Sequence, residues 1–523
     1  MKKLSRLTRV SLLLAILFGL DKLLSVVRQM LISKEFGLSA VLDVFNAANN
    51  LPDMLFMLIS GGALAIAFIP ILTEVLGKEG QQKAWDLFSN ILNIGFLITA
   101  ALAVVFAIFA RPLIENVITP GFTEAQIDLA TKLMRMNLIS TLIFSLSGLV
   151  MAGLQANEHF LLPALAPVFY TLGQIFGALL LAPEKGLSLG PVTLPALGLG
   201  VEGLVYGVII GAFLHLLIQV PGLIKYNYRW RPIVNFKEPY TRKVFKVMGP
   251  RLITMFLIQM VFLVQDNMAS GLEEGAISAL MYGYWIMQIP QTLLGTSVAT
   301  AVLPTLSEFF NNERFDDFKE KIERATKVML VLTIPIAVIA AVVVEPAVAV
   351  FIRGLDASGV ARVVLVSRIF LAGIIGHSLV ELFARSFYAQ QKPFIPMLGA
   401  GLTLVIFVGV GFGLIALLPG WGIASEVGIV AANVLAYSAQ AILLFILLNR
   451  ELVNKLGTEK LQTVFIFGKA VLAAVLGGGL AFAAFNYLPR IQHTLIRAAM
   501  AGLIGVAISA LVIRKELVYI RQL

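Results

Sequence analysis

The stretch FIPILTEVLGKEG, residues 68–80, returns later in the chain as AVLPTLSEFFNNER, residues 301–314. Both contain Pro-x-Leu followed by Thr or Ser and then Glu, and their prolines, Pro70 and Pro304, are 234 residues apart. Further pairs follow in the same order at spacings of 234, 234, 233 and 225 residues: Glu74 with Glu308, Arg111-Pro112 with Glu345-Pro346, Pro163 with Pro396, and Gly203 with Gly428. A series of matches at a nearly constant spacing indicates an internal duplication.

The composition places the duplicated unit in a membrane. Of the 523 residues, 59% are hydrophobic and only 13% are charged, which exceeds the apolar content of soluble domains. A bilayer core needs about 20 apolar residues per helix. Runs of that length recur from residue 10 to residue 513, with Pro, Gly or charged residues between them. They predict an all-α, polytopic membrane protein with fourteen transmembrane helices.

Six of the predicted helices fall in each copy of the repeat. An even number of membrane crossings returns the chain to its starting side, so both copies insert in the same direction. We therefore expect two parallel six-helix lobes, with two C-terminal helices outside the repeat. The predicted boundaries are 1–224 for the N-terminal lobe, 225–242 for a cytoplasmic linker, 243–450 for the C-terminal lobe and 451–523 for helices thirteen and fourteen.

The basic residues predict the orientation. Lys and Arg concentrate in the loops and tails on the side of the N-terminus, whereas the opposite loops contain only Lys34, Arg111, Lys185, Arg353 and Arg490. Because basic residues accumulate on the cytoplasmic side of membrane proteins, both termini are expected in the cytoplasm. This distribution also explains the net charge of +10 without a nucleic-acid partner.

Three ionisable residues interrupt the first apolar run, in GLDKLLSVVRQM at residues 19–30. Asp21 and Arg28 share a helix face within about 20°, whereas Lys22 lies about 100° from Asp21. A charge at the bilayer centre costs about 2.5–3.5 kcal/mol, so the three side chains should face a wet cavity or one another. They form either a buried ion-pair cluster that joins helices or a binding surface for an anionic substrate. Their net positive charge favours binding, with Arg28 as the principal contact.

Helix two adds polar groups to the same predicted cavity. Asp43 lies near its start, and Asn49 is one of three asparagines that precede Pro52. Proline kinks a helix, and interrupted helices often line the cavities of transporters. Asn49 therefore joins the three charged residues of helix one as a predicted substrate-binding residue, and Asp43 is the one acid near the start of helix two.

Charged residues farther along the chain leave alternatives open. Arg251, early in helix seven, either contributes to the cavity or extends to the inner interface, and we include it among the predicted substrate-binding residues. Asp266, near the other end of that helix, is expected to be solvated or to cap a loop. Glu381 and Arg385 are four residues apart on helix ten, a spacing that predicts an ion pair on one face.

The sequence lacks the motifs of the common nucleotide and metal sites. It contains no G-x-x-x-x-G-K-[ST] and no H-E-x-x-H motif, which are the signatures of a P-loop and of a zincin. It also contains no cysteine, which excludes disulfides, thiolate metal sites and iron–sulfur clusters. These observations predict a secondary transporter or flippase that is not an enzyme and needs no cofactor or metal.

Four segments resemble one family of lipid transporters. They are VRQMLISKEFGLSAVLDVFNAANNLPDMLF at 27–56, GALAIAFIPILTE at 62–74, LIQVPGLIKYNYRWRP at 217–232 and SFYAQQKPFIP at 386–396. In these segments and in its fourteen predicted helices, the chain resembles the MurJ/MviN lipid II flippases of the multidrug/oligosaccharidyl-lipid/polysaccharide exporter superfamily. The resemblance extends over essentially the whole chain.

The resemblance implies a function. It implies movement of lipid II, the undecaprenyl-pyrophosphate-linked peptidoglycan precursor, from the inner to the outer leaflet of the bacterial cytoplasmic membrane by alternating access. The implied partners are lipid II, membrane lipids and cell-wall synthesis enzymes. Arg28 and Asp43 match family positions of functional weight, and Lys22 stands where the family often has another arginine. Helices thirteen and fourteen, with the glycines at 477–479, are implied to shape a groove for the polyprenyl tail.

The chain departs from the family pattern in helices two and eight. Phe56 and Met57 stand where the family usually has an arginine after Leu-Pro, Trp285 replaces an arginine in helix eight, and Gly61 replaces a glutamate. The cavity is therefore predicted to be less cationic than is typical. Two alternatives stay open. One is an exporter of another polyprenyl-linked oligosaccharide, or a small-molecule antiporter, of the same superfamily, and the other is an inactive scaffold for cell-wall enzymes.

Overall fold

The structure is a computed structural model of the chain, and it describes residues 6–59, 63–186, 188–189, 192–454, 464–487, 493–516 and 518. These residues form two compact units, with the division between Gly275 and Ala276. Both units consist almost entirely of helices; the strands in the described ranges are limited to one two-residue hairpin. The predicted all-α class is confirmed.

Unit 1 contains the first ten helices of the described ranges. They are α1 (Arg6–Phe36), α2 (Ala40–Ile59), α3 (Ala63–Glu79), α4 (Gln81–Ile108), α5 (Ala110–Leu113), α6 (Glu124–Ala156), α7 (Leu161–Phe176), α8 (Val201–Leu217), α9 (Val220–Lys225) and α10 (Pro239–Ala269). Helices α5 and α7 continue as π-helical turns, Ile114–Ile118 and Gly177–Leu181. The hairpin pairs β1 (Ser188–Leu189) with β2 (Val192–Thr193) in the antiparallel sense.

Unit 2 contains eight further helices in its described ranges. They are α11 (Ala276–Gln291), α12 (Ser297–Asn311), α13 (Phe315–Phe351), α14 (Ala357–Ala389), α15 (Phe394–Leu417), α16 (Ser425–Asn454), α17 (Val464–Tyr487) and α18 (Thr494–Val512). A π-helical turn, Thr292–Thr296, joins α11 to α12, and a 3₁₀ turn, Leu418–Trp421, follows α15.

Twelve helical segments of the described residues are long and apolar enough to cross a membrane. They begin with α4 and end with α18, and some include the turns or short helices that continue a longer one. The chain is therefore a multi-pass membrane protein. The first two predicted helices correspond to α1 and to α2 with α3, which are not among the twelve, so the count of fourteen stays a prediction.

The duplication is visible in the contacts inside each unit. In unit 1, Arg135 on α6 donates from Nε to the carbonyl oxygen of Ala107 on α4 at 2.9 Å. In unit 2, Arg368 on α14 donates from Nε to the carbonyl oxygen of Ala341 on α13 at 3.0 Å. The donors are 233 residues apart and the acceptors 234, which is the spacing of the sequence repeat. Equivalent helices in the two units therefore use the same contact.

A second repeated contact is an ion pair whose burial differs between the units. Lys132 pairs with Glu202 in unit 1, where the two side chains are 57% and 32% exposed. Arg362 pairs with Glu426 in unit 2, where the side chains are 19% and 8% exposed. Exposed pairs contribute little to stability, whereas removing one partner of a buried pair is strongly destabilising.

We therefore expect Glu426→Gln to lower the free energy of unfolding by about 3 kcal/mol, because the Arg362 guanidinium would stay buried without this carboxylate. Glu202→Gln is the matched control in the other unit and should cost less than about 1 kcal/mol. Denaturant unfolding of both variants in one detergent measures the difference. Equal losses would show that burial does not distinguish the two pairs.

Helix α10 belongs to unit 1 by its contacts. It packs on α2, α3 and α4, and its buried residues share a core with aromatic residues of α3 and α4. Lys243 at its start donates to Oε2 of Glu74 at 2.6 Å. Hydrogen bonds from Lys243 and Lys78 lower the pKa of Glu74 to about 2. The sequence repeat instead assigns α10 to the C-terminal lobe, residues 243–450. That division of the chain reflects duplication and not packing, and it stays a prediction.

Helices α7 and α8 touch through their backbones. A Cβ atom added to Gly173 would lie 2.3 Å from Cα of Gly211, and one added to Gly177 would lie 2.7 Å from Cα of Gly207. The glycines on each helix are four residues apart, a spacing that lets membrane helices approach closely. The carbonyl oxygen of Tyr170 lies in the same contact, 2.5 Å from the position of a Cβ at residue 211. Helix α8 thereby fixes the position of α7.

The last two helices of unit 2 pack on α13 and on each other. A Cβ atom on Gly477 would lie 2.0 Å from Oγ of Ser509, and one on Gly478 would lie 2.5 Å from the side chain of Val338. Gly479 has open space beside it. Two of the three glycines therefore allow a close approach, and the groove for a polyprenyl tail stays a prediction.

Candidate substrate-binding site

Two charged residues of α1, Asp21 and Arg28, face α7. Arg28 donates from Nη1 to Oε1 of Gln174 at 2.7 Å, and Asp21 accepts from Oγ1 of Thr171 at 2.8 Å. Gln174 and Thr171 are three residues apart on α7, so they share a face of that helix. The structure thus places Asp21 and Arg28 on one face of α1, as their spacing predicts. The groups they meet on α7 are neutral.

Arg28 keeps unused hydrogen-bonding capacity. Its side chain is half-buried, and its Nε is buried without a partner in the described part of the chain. Asp21, Asp53 and Tyr170 lie within electrostatic range of the guanidinium, but its hydrogen bond goes to the neutral Gln174. A buried donor without an acceptor is costly, so the site favours a further acceptor beside Nε.

Lys22 does not join this cluster. Its side chain is exposed, and within the described ranges it makes no hydrogen bond or ion pair. It lies about 100° around α1 from Asp21, away from the contact with α7. A role for Lys22 in substrate binding stays a prediction.

A polar pocket of about 320 Å³ lies within unit 1. It is lined by twelve residues of α2, α6, α7, α8 and α10: Asn49, Pro52, Asp53, Phe56, Met57, Asn137, Ser140, Thr141, Phe144, Tyr170, Val208 and Gln259. Asn49, which the sequence predicts as a binding residue, accepts from Nδ2 of Asn137. Asp53 is the one charged residue in the lining, and its side chain is exposed.

Gln174 connects this pocket to Arg28. It accepts from Arg28 and donates from Nε2 to Oη of Tyr170 at 3.0 Å, and Tyr170 lines the pocket. The carboxylate of Asp53 lies within electrostatic range of the same guanidinium. Arg28 and the pocket therefore form one continuous site inside unit 1.

Sequence reasoning missed Asp53 and Gln174. Asp53 follows Asn49 by four residues, so the helical spacing of the polar face on α2 was a usable signal. Gln174 is 146 residues from Arg28, and no local feature of the sequence marks it as a partner. Its identification requires knowledge that α1 packs on α7.

Asp43 and Asp266 belong to a separate buried group in unit 1. Asp43 is 4% exposed and accepts from the backbone nitrogen of Gly275 at 2.7 Å. Gly275 has φ +82, a conformation that favours glycine. Asp266 is buried and accepts from Nδ2 of Asn50 at 2.6 Å. The expectation that Asp266 is solvated or caps a loop is wrong, because α2 supplies a donor to it inside the unit.

The contacts of Asp43 therefore hold the loop after α10, and its binding of substrate stays a prediction. Within the described ranges, no group of three or more His, Cys, Asp or Glu residues could hold a metal ion.

Arg251 lies on α10 outside the pocket lining. It is partly buried, and its Nη1 is buried without a partner in the part of the chain that the structure describes. Gln259, which α10 contributes to the pocket, follows eight residues later, about 12 Å along the helix. Substrate binding by Arg251 likewise stays a prediction.

Unit 2 contains the predicted pair of Glu381 and Arg385, with Nη1 and Oε2 3.2 Å apart. Glu381 also accepts from Gln291 and Thr296, each at 2.8 Å. Arg385 donates to the carbonyl oxygen of Thr296 at 3.1 Å. The pair therefore holds the π-helical turn between α11 and α12, a segment whose altered hydrogen bonding frees backbone groups.

Solved structures of transporters share this fold. A structure titled lipid II flippase MurJ, inward closed conformation, matches with a TM-score of 0.77 and 21% sequence identity, covering 96% of this chain and 99% of that one. An inward-facing multidrug resistance transporter of the MATE family, in the MOP superfamily, matches with a TM-score of 0.66 and 13% identity, covering 83% and 95%.

Comparison of sequences identifies the family. The lipid II flippase MurJ of Burkholderia cenocepacia is 27% identical over 418 residues, which are 75% of this chain and 79% of the relative. The probable lipid II flippase MurJ of Haemophilus influenzae is 27% identical over 495 residues, 91% of each chain. The family model described as lipid II flippase MurJ matches residues 32–497. Since this match spans most of its length, the chain belongs to the lipid II flippase MurJ family.

Proposed function

We propose that the protein moves lipid II from the inner to the outer leaflet of the bacterial cytoplasmic membrane by alternating access, with both termini in the cytoplasm. The observation that carries the proposal is the state of Arg28. Its guanidinium is half-buried, it is held by the neutral Gln174, and its Nε has no acceptor in the described part of the chain. An anionic group of the substrate would supply that acceptor.

Pyrophosphate is the part of lipid II that a bilayer excludes most strongly. The hydrocarbon core is about 30 Å thick, and charged groups are costly within it. The planar donors of a guanidinium match phosphate oxygens in pairs. Because Gln174 is neutral, its contact leaves the charge of Arg28 available to the substrate. The polyprenyl tail can stay in lipid, so the protein has to shelter only the polar head.

The other residues that the sequence predicts as substrate contacts also have roles in this proposal. Asp21, held by Thr171, lies within electrostatic range of Arg28. Asn49 lines the pocket beside it, and Lys22 adds positive charge to an exposed part of α1. We retain Asp43 and Arg251 as proposed substrate contacts, and cell-wall synthesis enzymes as proposed partners.

One observation favours a second candidate. Phe56 and Met57 line the pocket where the family usually has an arginine, and Trp285 replaces another. The site is accordingly suited to a less anionic cargo, such as another polyprenyl-linked oligosaccharide or a small molecule moved by antiport.

Complementation and lipid capture distinguish the two candidate functions. If the proposal holds, the protein restores growth to a strain depleted of its lipid II flippase, and native mass spectrometry of the purified protein shows lipid II retained over other polyprenyl-linked oligosaccharides. Failure to rescue, together with retention of another such lipid, would establish the second candidate. Full rescue by a double Lys22→Gln, Arg28→Gln variant would instead indicate a scaffold.

A further inference from the structure

We propose that the polar pocket of unit 1 binds an uncharged sugar ring of the lipid-linked substrate, and that Asp53 is its specificity-determining residue. The inference rests on the proposed function, because it divides the head of one substrate between two parts of one site. Arg28 takes the phosphate, and the pocket takes the sugar that is attached to it.

The lining suits a neutral ligand with many hydrogen-bonding groups. Seven of its twelve side chains can form hydrogen bonds, and none of the twelve is Lys, Arg or His. Asp53 contributes the negative charge, so a phosphate inside the pocket would be repelled by a carboxylate that no cation of the lining offsets, whereas a phosphate at Arg28 would not. A carboxylate accepts through two oxygens and forms stronger bonds than a neutral acceptor. Adjacent hydroxyl groups of a sugar supply the matching donors.

An unsatisfied acceptor in the lining indicates which groups the ligand must carry. Asn137 is 1% exposed, and its Nδ2 donates to Asn49, whereas its Oδ1 has no partner in the described residues. Ser140 and Thr141 donate to backbone carbonyls, so their oxygens remain as acceptors. Buried polar groups normally have partners. The pocket therefore requires donors from its ligand, as hydroxyl or acetamido N–H groups provide.

Aromatic rings complete the pocket. The ring centroids of Phe56 and Phe144 are 4.6 Å apart, and those of Phe144 and Tyr170 are 4.9 Å apart. Binding pockets combine such apolar walls with a few converging polar groups. A sugar ring has an apolar C–H face and a polar rim, so it can contact the aromatic row and the hydrogen-bonding groups at the same time.

The position of Arg28 agrees with this division. The hydrogen bonds from Arg28 to Gln174 and from Gln174 to Tyr170 lead directly from the guanidinium to the pocket wall. Since Oη of Tyr170 accepts from Gln174, its own hydrogen is left to donate to a ligand. A phosphate held at Arg28 would thus bring the next group of the substrate to Tyr170 and Asp53.

The test compares two lipids on the full-length protein. The dissociation constants of lipid II and of undecaprenyl pyrophosphate, which has no sugar, are measured by native mass spectrometry for wild type, Asp53→Asn and Tyr170→Phe. We expect Asp53→Asn to weaken the binding of lipid II about tenfold, which is the loss typical of removing a hydrogen bond to a charged group. The dissociation constant of undecaprenyl pyrophosphate should change by less than about twofold. Tyr170→Phe should act in the same direction and removes only a hydroxyl.

Asp317→Asn is the matched control, because it makes the same chemical change at an exposed pair with Arg314 in unit 2. It should alter neither constant. Equal weakening of both lipids by Asp53→Asn would overturn the sugar subsite and leave the proposed phosphate contact intact. Unchanged binding of lipid II in both pocket variants would also overturn it. Failure of the wild type to bind either lipid would overturn the proposed function as well. Tyr170→Phe decides the outcome if Asp53→Asn does not fold.

Discussion

Arg28→Ala is expected to abolish rescue of a flippase-depleted strain and to weaken retention of lipid II by about a hundredfold or more. The variant removes the hydrogen bond from Nη1 to Gln174 and also removes the buried Nε, which has no acceptor among the described residues. Two charge-assisted hydrogen bonds to a phosphate account for a loss of that size. Growth under depletion measures the first effect, and native mass spectrometry of purified protein measures the second. Immunoblotting of membranes verifies that the variant is present.

Arg324→Ala is the matched control for that loss of charge. Arg324 pairs with Glu320 on α13, and its side chain is 32% exposed, so its removal should leave rescue at the wild-type level. Arg28→Lys should give partial rescue, because an ammonium keeps the charge but not the paired, planar donors. Full rescue by Arg28→Ala would remove the basis of the proposed phosphate contact.

Gly207→Leu should strongly destabilise the fold. A Cβ at this position would lie 2.7 Å from Cα of Gly177, so the first atom of any side chain meets backbone rather than a movable side chain. Overpacking typically costs about 1–3 kcal/mol, and we expect the upper end because neither helix can yield locally. Thermal unfolding in detergent should shift strongly downward, and less folded protein should accumulate in membranes. Lipid II binding should fall as well, because α7 carries Gln174 and Thr171.

Gly413→Leu is the control for this substitution. Gly413 lies on α15, also in a membrane-spanning helix, and has open space where its Cβ would be. Leucine at that position should leave the unfolding temperature unchanged or raise it, since glycine is a poor helix former. Equal losses at residues 207 and 413 would mean that the α7–α8 contact is not as close as the structure places it.

Much of the fold was predictable because membranes impose strong local rules. Every backbone group must be satisfied inside the bilayer, so a long apolar run has few alternatives to a helix. The repeat followed from the ordered series of matches that begins with Pro70 and Pro304, and the contacts of Arg135 and Arg368 support it. The ion pair of Glu381 with Arg385 followed from their separation of four residues, and the structure confirms it.

The site was less predictable, because it depends on which helices meet. The shared face of Asp21 and Arg28 is a property of one helix and was predicted. Gln174 and Thr171 lie on another helix, and helix pairing is not encoded in local spacing. Asp266 shows the same limitation, since its burial depends on Asn50 from α2. The division of the chain at 243 also followed from duplication, whereas α10 packs on the helices that precede it.

The backbone contact between α7 and α8 has a mechanical consequence. Where the glycines of α7 and α8 meet, backbone lies directly against backbone, so we expect these two helices to move together. Helix α1, by contrast, is attached to α7 through the long side chains of Arg28 and Gln174 and the shorter pair of Asp21 and Thr171. Because these side chains can change rotamer, we expect α1 to be the helix that moves relative to α7 when the Arg28 site opens toward a cargo.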